Sequence, residues 1–237
     1  MNCYNSSWYL NAVAPGWARC HGFPYVLNDR GEAASPYGYP GTGGADLAEV
    51  RKLLNRPLFI RHHLDSHPVG TGHPTRVIPV YQPWTEEAEK EVKRAAAAGV
   101  VCWQGSKSGD TLARFAKNYR EAMAAKNAAP KYKVLADRIT QWANNDQVLV
   151  LETKGAGALF LIDSDSWAHY HLSHRSEMAH NLSMASIFAL AVPMLKERGV
   201  TRIHMGGGMS KDPKDSLYTF KSFWGRQPYH IYQQEIK

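Results

Sequence analysis

The spacing of apolar residues changes character near the middle of this 237-residue chain. Up to about residue 146, helical periods dominate. The stretch TLARFAKNYREAMAAKN sets Leu112, Phe115, Tyr119 and Met123 on one face of a helix that Ser108 or Asp110 caps. Ahead of it, Thr85 opens the helix TEEAEKEVKRAAAAG, with acidic residues in its first turn and Gly99 at its end. The spacing also predicts a short helix over 47–54, strands over 57–62, 77–81 and 100–103, and a helix over 135–142. Residues 63–75 read as a His/Pro/Gly loop. The first 45 residues are aromatic and turn-rich, ending in SPYGYPGTGG, where proline and glycine fix a turn that presents two tyrosines. Past Asn144-Asn145-Asp146 the period falls towards two. Residues 147–153 and 158–163 predict a hairpin around 154–157, and 167–173 a third strand. A long helix over 182–198 closes at Gly199. Strand 201–205, a glycine turn, helix 215–223 and strand 229–235 complete a β-β-β-α-β-α-β order, an α+β arrangement around a mixed sheet.

Composition narrows the class. Hydrophobic content of 44% and charged content of 21% are those of a globular protein that buries a real core. No run approaches the roughly 18 apolar residues of a membrane span. The N-terminal sequence has no basic start followed by an apolar stretch, so no signal peptide is expected and the cytoplasm is the expected compartment. Cys3, Cys20 and Cys102 are too few and too scattered for a disulfide framework or a zinc pattern. The formal charge of +7 is concentrated: residues 93–133 hold nine Lys/Arg against Asp110 and Glu121, an excess of seven. A basic surface of that density attracts a polyanion, although most charge runs are simply solvated faces.

Several segments, in order, carry a resemblance. SPYGYPG (35–41), PLFIRHH (57–63), AEKEVKRAAAAGV (88–100), FAKNYREAMAAKNAAPKY (115–132), HYHLS (169–173), IHMGGG (203–208) and DSLYTFKSFWG (215–225) together resemble the Fem-like, FemABX-type aminoacyl-tRNA-dependent transferases of the GNAT acyltransferase superfamily. The resemblance implies a GNAT-like acyltransferase fold with a mixed central sheet. Its C-terminal half, 107–237, is complete and carries the catalytic junction, and its N-terminal half, 1–106, is a reduced GNAT-like unit. It further implies transfer of an aminoacyl group from aminoacyl-tRNA, as co-substrate and with no other cofactor, to the amine of a natural-product intermediate or a peptidoglycan precursor.

The same resemblance assigns residues. Spacing alone leaves Lys221 open between a solvated charge and a site residue. The family's Phe-Lys pair matches Phe220 and Lys221 and implies that they form the catalytic junction, the lysine stabilising charge on the acyl ester or holding the end of the tRNA. Gly206 and Gly207 let a backbone or substrate pass closely. Tyr37, Tyr39, Arg61 and Tyr170 are candidate substrate contacts, each with core, turn or surface packing as the plainer reading. Lys93, Arg94, Lys107, Arg114, Lys117 and Arg120 are the candidate tRNA contacts. His62, His63, His67 and His73 fit no metal-ligand spacing, so no metal is expected. A conventional acyl-CoA enzyme cradles pyrophosphate on a glycine-bearing loop before the helix that follows the third strand. Here 174–181 contains no glycine, which disfavours acyl-CoA. An N-acyltransferase using acyl-CoA or an acyl carrier protein is the alternative, and a non-catalytic RNA-binding module on the same fold a third reading.

Overall fold

The computed structural model describes residues 3–14, 16–28, 30–36, 45–61, 71–130, 135–163, 166–207, 212 and 214–236. The chain divides into two compact units, 1–74 with 229–237, and 75–228. No helix among the described residues is long and apolar enough to cross a membrane.

The first unit has more regular structure than its turn-rich sequence predicts. Ser7–Val13 forms helix α1, which buries Tyr9, Leu10 and Ala12. The strands that follow are β1 (Ala18–Cys20), β2 (Phe23–Leu27) and β3 (Ala33–Ala34), then α2 (Leu47–Leu54) and β4 (Leu58–Arg61). Asp46 caps α2, its carboxylate accepting from the Ala48 and Glu49 amides at 2.9 and 3.2 Å. Strands β3 and β4 run parallel, while β4 pairs antiparallel with the last strand, β11 (Gln227–Ile236). Phe23, Ala33, Val50, Leu58 and Ile60 make a small core of their own.

The second unit is built on strands β5 (Thr71–Pro79), β6 (Trp103–Gln104), β7 (Val148–Thr153), β8 (Ala156–Ile162), β9 (Trp167–Arg175) and β10 (Arg202–Gly207). Their order is β5-β10-β9-β8-β7-β6, antiparallel except for β9 and β10. The parallel pair is joined by helix α5 (Ser183–Glu197), the crossover that a parallel connection requires. Helix α6 (Ser216–Trp224) lies between β10 and β11 in the chain, so the elements follow the expected β-β-β-α-β-α-β order, and the sheet of the second unit is mixed. Strand β5 begins at Thr71, inside the stretch read as loop. The expected helix over 135–142 contributes a 3-10 turn at Ile139–Trp142.

Alternation divides this sheet into two faces. Leu149, Leu151, Phe160, Tyr170, Ile203 and Met205 point into a core shared with Ile187, Phe188 and Leu195 of α5 and with Ala88 and Ala95 of helix α3 (Glu86–Ala97). Burying each large side chain there contributes roughly 1.5–3 kcal/mol. The other face is covered by helix α4 (Gly109–Ala125) and the Ile139–Trp142 turn. On it, Phe115 packs edge-on against His174 at 5.0 Å and Trp142 against His171 at 5.7 Å. Gly157, the register partner of His174, makes room for that ring: a Cβ there would stand 2.6 Å from His174 Nε2. This second face bears the histidines of β9 and β10.

Candidate active site

Helix α6 begins where the sequence predicts. The Asp215 carboxylate accepts from the Leu217 and Tyr218 amides at 2.8 and 3.1 Å, capping the first turn. Helical spacing then turns Tyr218, Lys221 and Trp224 inward. Trp224 packs on Phe188 with ring centroids 4.9 Å apart, and the partly buried Phe220 lies 6.3 Å from the same ring. That aromatic anchoring holds Lys221 where water cannot surround it; the residue is 8% exposed. Its Nζ donates to the Gly207 carbonyl at 2.6 Å. Burial lowers its pKa to about 8, against a smaller upward pull from Asp215. A cation at neutral pH, it is poorly solvated and held by the end of β10.

The end of β10 is shaped for this approach. The register with β5 shifts between His204 and Gly207, and Gly206 has φ +73, a left-handed conformation that favours glycine. A Cβ on Gly206 would lie 3.1 Å from Lys221 Nζ and 3.5 Å from His169 Nε2. The missing side chain therefore lets an ammonium and an imidazole close on Gly206.

Three strand histidines cluster on this face of the sheet. His204 and His169 are register partners on the parallel strands, their rings 5.3 Å apart. His171 follows on the same face, its Nδ1 3.3 Å from the Nδ1 of His169. His204 Nδ1 accepts from the Gly206 amide at 3.3 Å, and its Nε2 lies 3.0 Å from the Thr75 hydroxyl. Nδ1 as acceptor leaves the ring proton on Nε2, donated to Thr75. Burial pushes His204 and His171 down to about 3 and His174 down to about 4. His169 is held well below its ordinary range by burial first, then by His171, His204 and Lys221. All four rings are neutral at physiological pH, in an environment of low polarisability that strengthens the field of one nearby ammonium.

The remaining candidates fall in different places. Tyr170 packs between Phe160 and Phe188 on the opposite face of β9, and burial raises its hydroxyl pKa. Arg61 ends β4, its backbone paired with Gln233; its side chain is outside the described part. Tyr37, Tyr39, His62, His63 and His67 lie outside the described residues, as does the side chain of His73. Among the described residues no group of three or more His, Cys, Asp or Glu is placed to hold a metal ion.

The basic residues do not form one surface. Lys93 and Arg94 sit on α3, and Arg114, Lys117 and Arg120 on α4, across the sheet. Five of the six candidate tRNA contacts have carboxylate partners, all from outside the basic window. Lys93 pairs with Glu89 at 2.7 Å, Arg94 with Glu91, Lys107 with Asp146 and Arg120 with Asp137. Arg114 holds the buried Glu152 in a two-pronged contact at 2.6 and 3.3 Å, a structural pairing within the fold. Lys117 is exposed on α4.

Sequence reasoning sought histidine chemistry in the 62–73 loop and passed over His169, His171, His204 and Thr75. Period-two spacing in HYHLS was the available signal for the first two. The pairing of His169 with His204 is a matter of register between distant strands and has no local trace.

No family model matches the chain, and no curated protein matches it. Solved structures do. The C-terminal domain (DUF2156) of a protein described as a lysylphosphatidylglycerol synthetase from Agrobacterium fabrum aligns over 98% of this chain and 87% of its own, at 14% identity and a TM-score of 0.64. A conserved protein of unknown function from Bacteroides thetaiotaomicron aligns over 100% and 92%, at 12% identity and a TM-score of 0.69. FemX aligns over 90% and 70%, at 12% identity and a TM-score of 0.57. At these identities the likeness speaks for architecture: the chain has the GNAT-like α+β fold shared with FemX and the synthetase domain, as its sequence leads one to expect.

Proposed function

We propose that this protein is a Fem-like acyltransferase that forms an amide by moving an aminoacyl group from aminoacyl-tRNA to the amine of a small-molecule or peptidyl acceptor. The observation that carries this reading is the buried Lys221, its ammonium hydrogen-bonded to the Gly207 carbonyl at the end of β10. An amine attacking an ester generates a tetrahedral oxyanion, and a preorganised ammonium among neutral groups stabilises that charge more than it stabilises the ester. Phe220 supports the lysine by fixing the pitch of α6 against Phe188. The fold shared with FemX favours this chemistry by analogy. The division into a reduced half, 1–106, and a complete half, 107–237, belongs to the same proposal.

An acyl-CoA donor fits less well. The connection from β9 to α5 has no glycine cradle, and the amides that open α5 already have partners. Leu182 N–H donates to His180 Nδ1 at 3.1 Å, and Ser183 N–H to the His180 carbonyl at 3.0 Å. The same connection packs on the β7–β8 turn, where a Cβ on Gly155 would meet the Ala179 backbone at 3.0 Å. A pyrophosphate would have to displace these contacts.

The test is incubation with a panel of charged tRNAs and amines, with and without prior RNase treatment of the donor. The expected result is an amide product that RNase abolishes. Transfer from a thioester that RNase leaves intact contradicts the donor assignment.

A further inference from the structure

Arg76 of β5 is half-buried against α6, and one face of that helix and its cap lines the arginine side chain. A Cβ on Gly225 would stand 2.6 Å from the Arg76 Cβ, so strand and helix end meet there. Further back along the helix, Arg76 Nε donates to the Ser222 hydroxyl at 2.9 Å, and the guanidinium carbon lies over the Tyr218 ring at 5.3 Å. The ring fixes the plane of the guanidinium and the hydroxyl fixes its rotation. Both partners are neutral. Arginines seldom leave water without an acid beside them, yet among the described residues no carboxylate pairs with Arg76. Its Nη1 and Nη2 reach solvent and have no protein partner among those residues. The location ties this unused fork to Lys221. Along β5, Arg76 follows Thr75, the register partner of Gly207, whose carbonyl holds the Lys221 ammonium. Along α6, Ser222 follows Lys221.

We propose that Arg76 binds a singly charged oxyanion group of a substrate, a phosphodiester of the donor or a carboxylate of the acceptor, through Nη1 and Nη2; this rests on the acyl-transfer reading of Lys221 above. A guanidinium fork receives such a group with two parallel N–H···O bonds. Ser222 and Tyr218 are positioning residues: the hydroxyl takes Nε and the ring holds the plane, which leaves the Nη pair for the anion. Because the fork is set beforehand, less side-chain freedom is lost when the anion arrives. The bound group is thereby registered against the same helix that carries Lys221. The two cations also differ in kind. A guanidinium stays charged through the range in which the Lys221 ammonium loses its proton, so binding at Arg76 persists there.

The test is a titration of the resting protein, followed by nuclear magnetic resonance at the Arg76 Nε–Hε group and at the Ser222 amide. Dimethyl phosphate stands for the phosphodiester and acetate for the carboxylate. At least one of them is expected to shift both signals saturably, with a dissociation constant on the order of 1–30 mM. That constant is expected to change less than about twofold between about pH 7 and 9. The anion bound more tightly assigns the source. On the Ser222 amide, Arg76→Lys is expected to weaken binding about tenfold or more; on the Arg76 signal, Ser222→Ala is expected to weaken it about threefold or more. Arg175, exposed at the end of β9, is the control for unspecific association. An Arg76 response no more saturable than that of Arg175, or an Arg76→Lys affinity within about twofold of the parent's, overturns the proposal. An affinity that falls about tenfold across the lysine's titration places the anion on Lys221 and overturns it as well. The titration needs neither tRNA nor transfer. A protein that uses only a thioester donor, or transfers nothing, overturns the function proposed above, and the same titration still judges Arg76.

Discussion

At the scale of single residues, Lys221 exchanges stability for electrostatic strength. Its pKa of about 8 in the folded protein lies below the ordinary 10.5. Between those values the unfolded chain binds more protons, so the lysine's contribution to stability improves as pH rises through that window and its full penalty applies below pH 8. Lys221→Met keeps the length of the side chain and removes the buried charge. It is expected to raise stability by on the order of 1–3 kcal/mol at pH 7. Calorimetry checks this: a lower thermal midpoint in the variant means that the Gly207 hydrogen bond outweighs the desolvation.

At the scale of elements, the β8–β9 pairing carries the histidine face and depends on a small residue opposite a large one. Gly157→Ala drives a Cβ into His174, and a loss of about 1–3 kcal/mol is expected by chemical denaturation. In a His174→Ala background the further cost of Gly157→Ala is expected to shrink to about 0.5 kcal/mol or less. Equal costs in both backgrounds remove the steric account. The elements also show what local sequence conveys. The α3, α5 and α6 helices were legible because Thr85, Gly199 and Asp215 mark their ends with the expected chemistry. Helix α1 was obscured by the aromatic residues and turn formers around it, since Tyr9 and Leu10 are buried by tertiary packing. The start of β5 was hidden by Gly72, His73 and Pro74, residues typical of loops. Lys221 was visible through its motif, whereas its burial, its Gly207 bond and its histidine neighbours arise from strand register and helix docking.

At the scale of the whole molecule, charge organisation differs from the linear count. The +7 balance is real, but five of the nine Lys/Arg of its densest stretch are paired with carboxylates, and α3 and α4, which carry four of those five, cover opposite faces of the sheet. Exposed pairs of this kind contribute little to stability and are screened by salt. The buried histidines matter more. His171 and His204 at about 3, His174 at about 4 and His169 well below its ordinary range all titrate lower in the folded protein than unfolded. The unfolded chain therefore binds more protons below about pH 6.5, and stability falls as pH drops from there towards 3. Each ring contributes up to about 1.4 kcal/mol per pH unit. Thermal midpoints between pH 7.5 and 4.5 should fall steeply, and replacing His171 and His174 with apolar residues should flatten the curve. A flat parent curve means that these rings are protonated in the folded state.

The most direct measurement is the single-turnover rate of aminoacyl transfer as a function of pH, for the parent and for Lys221→Met. It requires an acceptor amine whose own pKa lies below the range scanned. The account predicts a parent rate that holds at neutral pH and declines as Lys221 loses its proton near pH 8. It also predicts a variant slower by roughly 100- to 1,000-fold at pH 7, without that decline. A variant as fast as the parent, or a parent rate that climbs through the lysine's titration, contradicts the claim that the Lys221 ammonium stabilises the oxyanion.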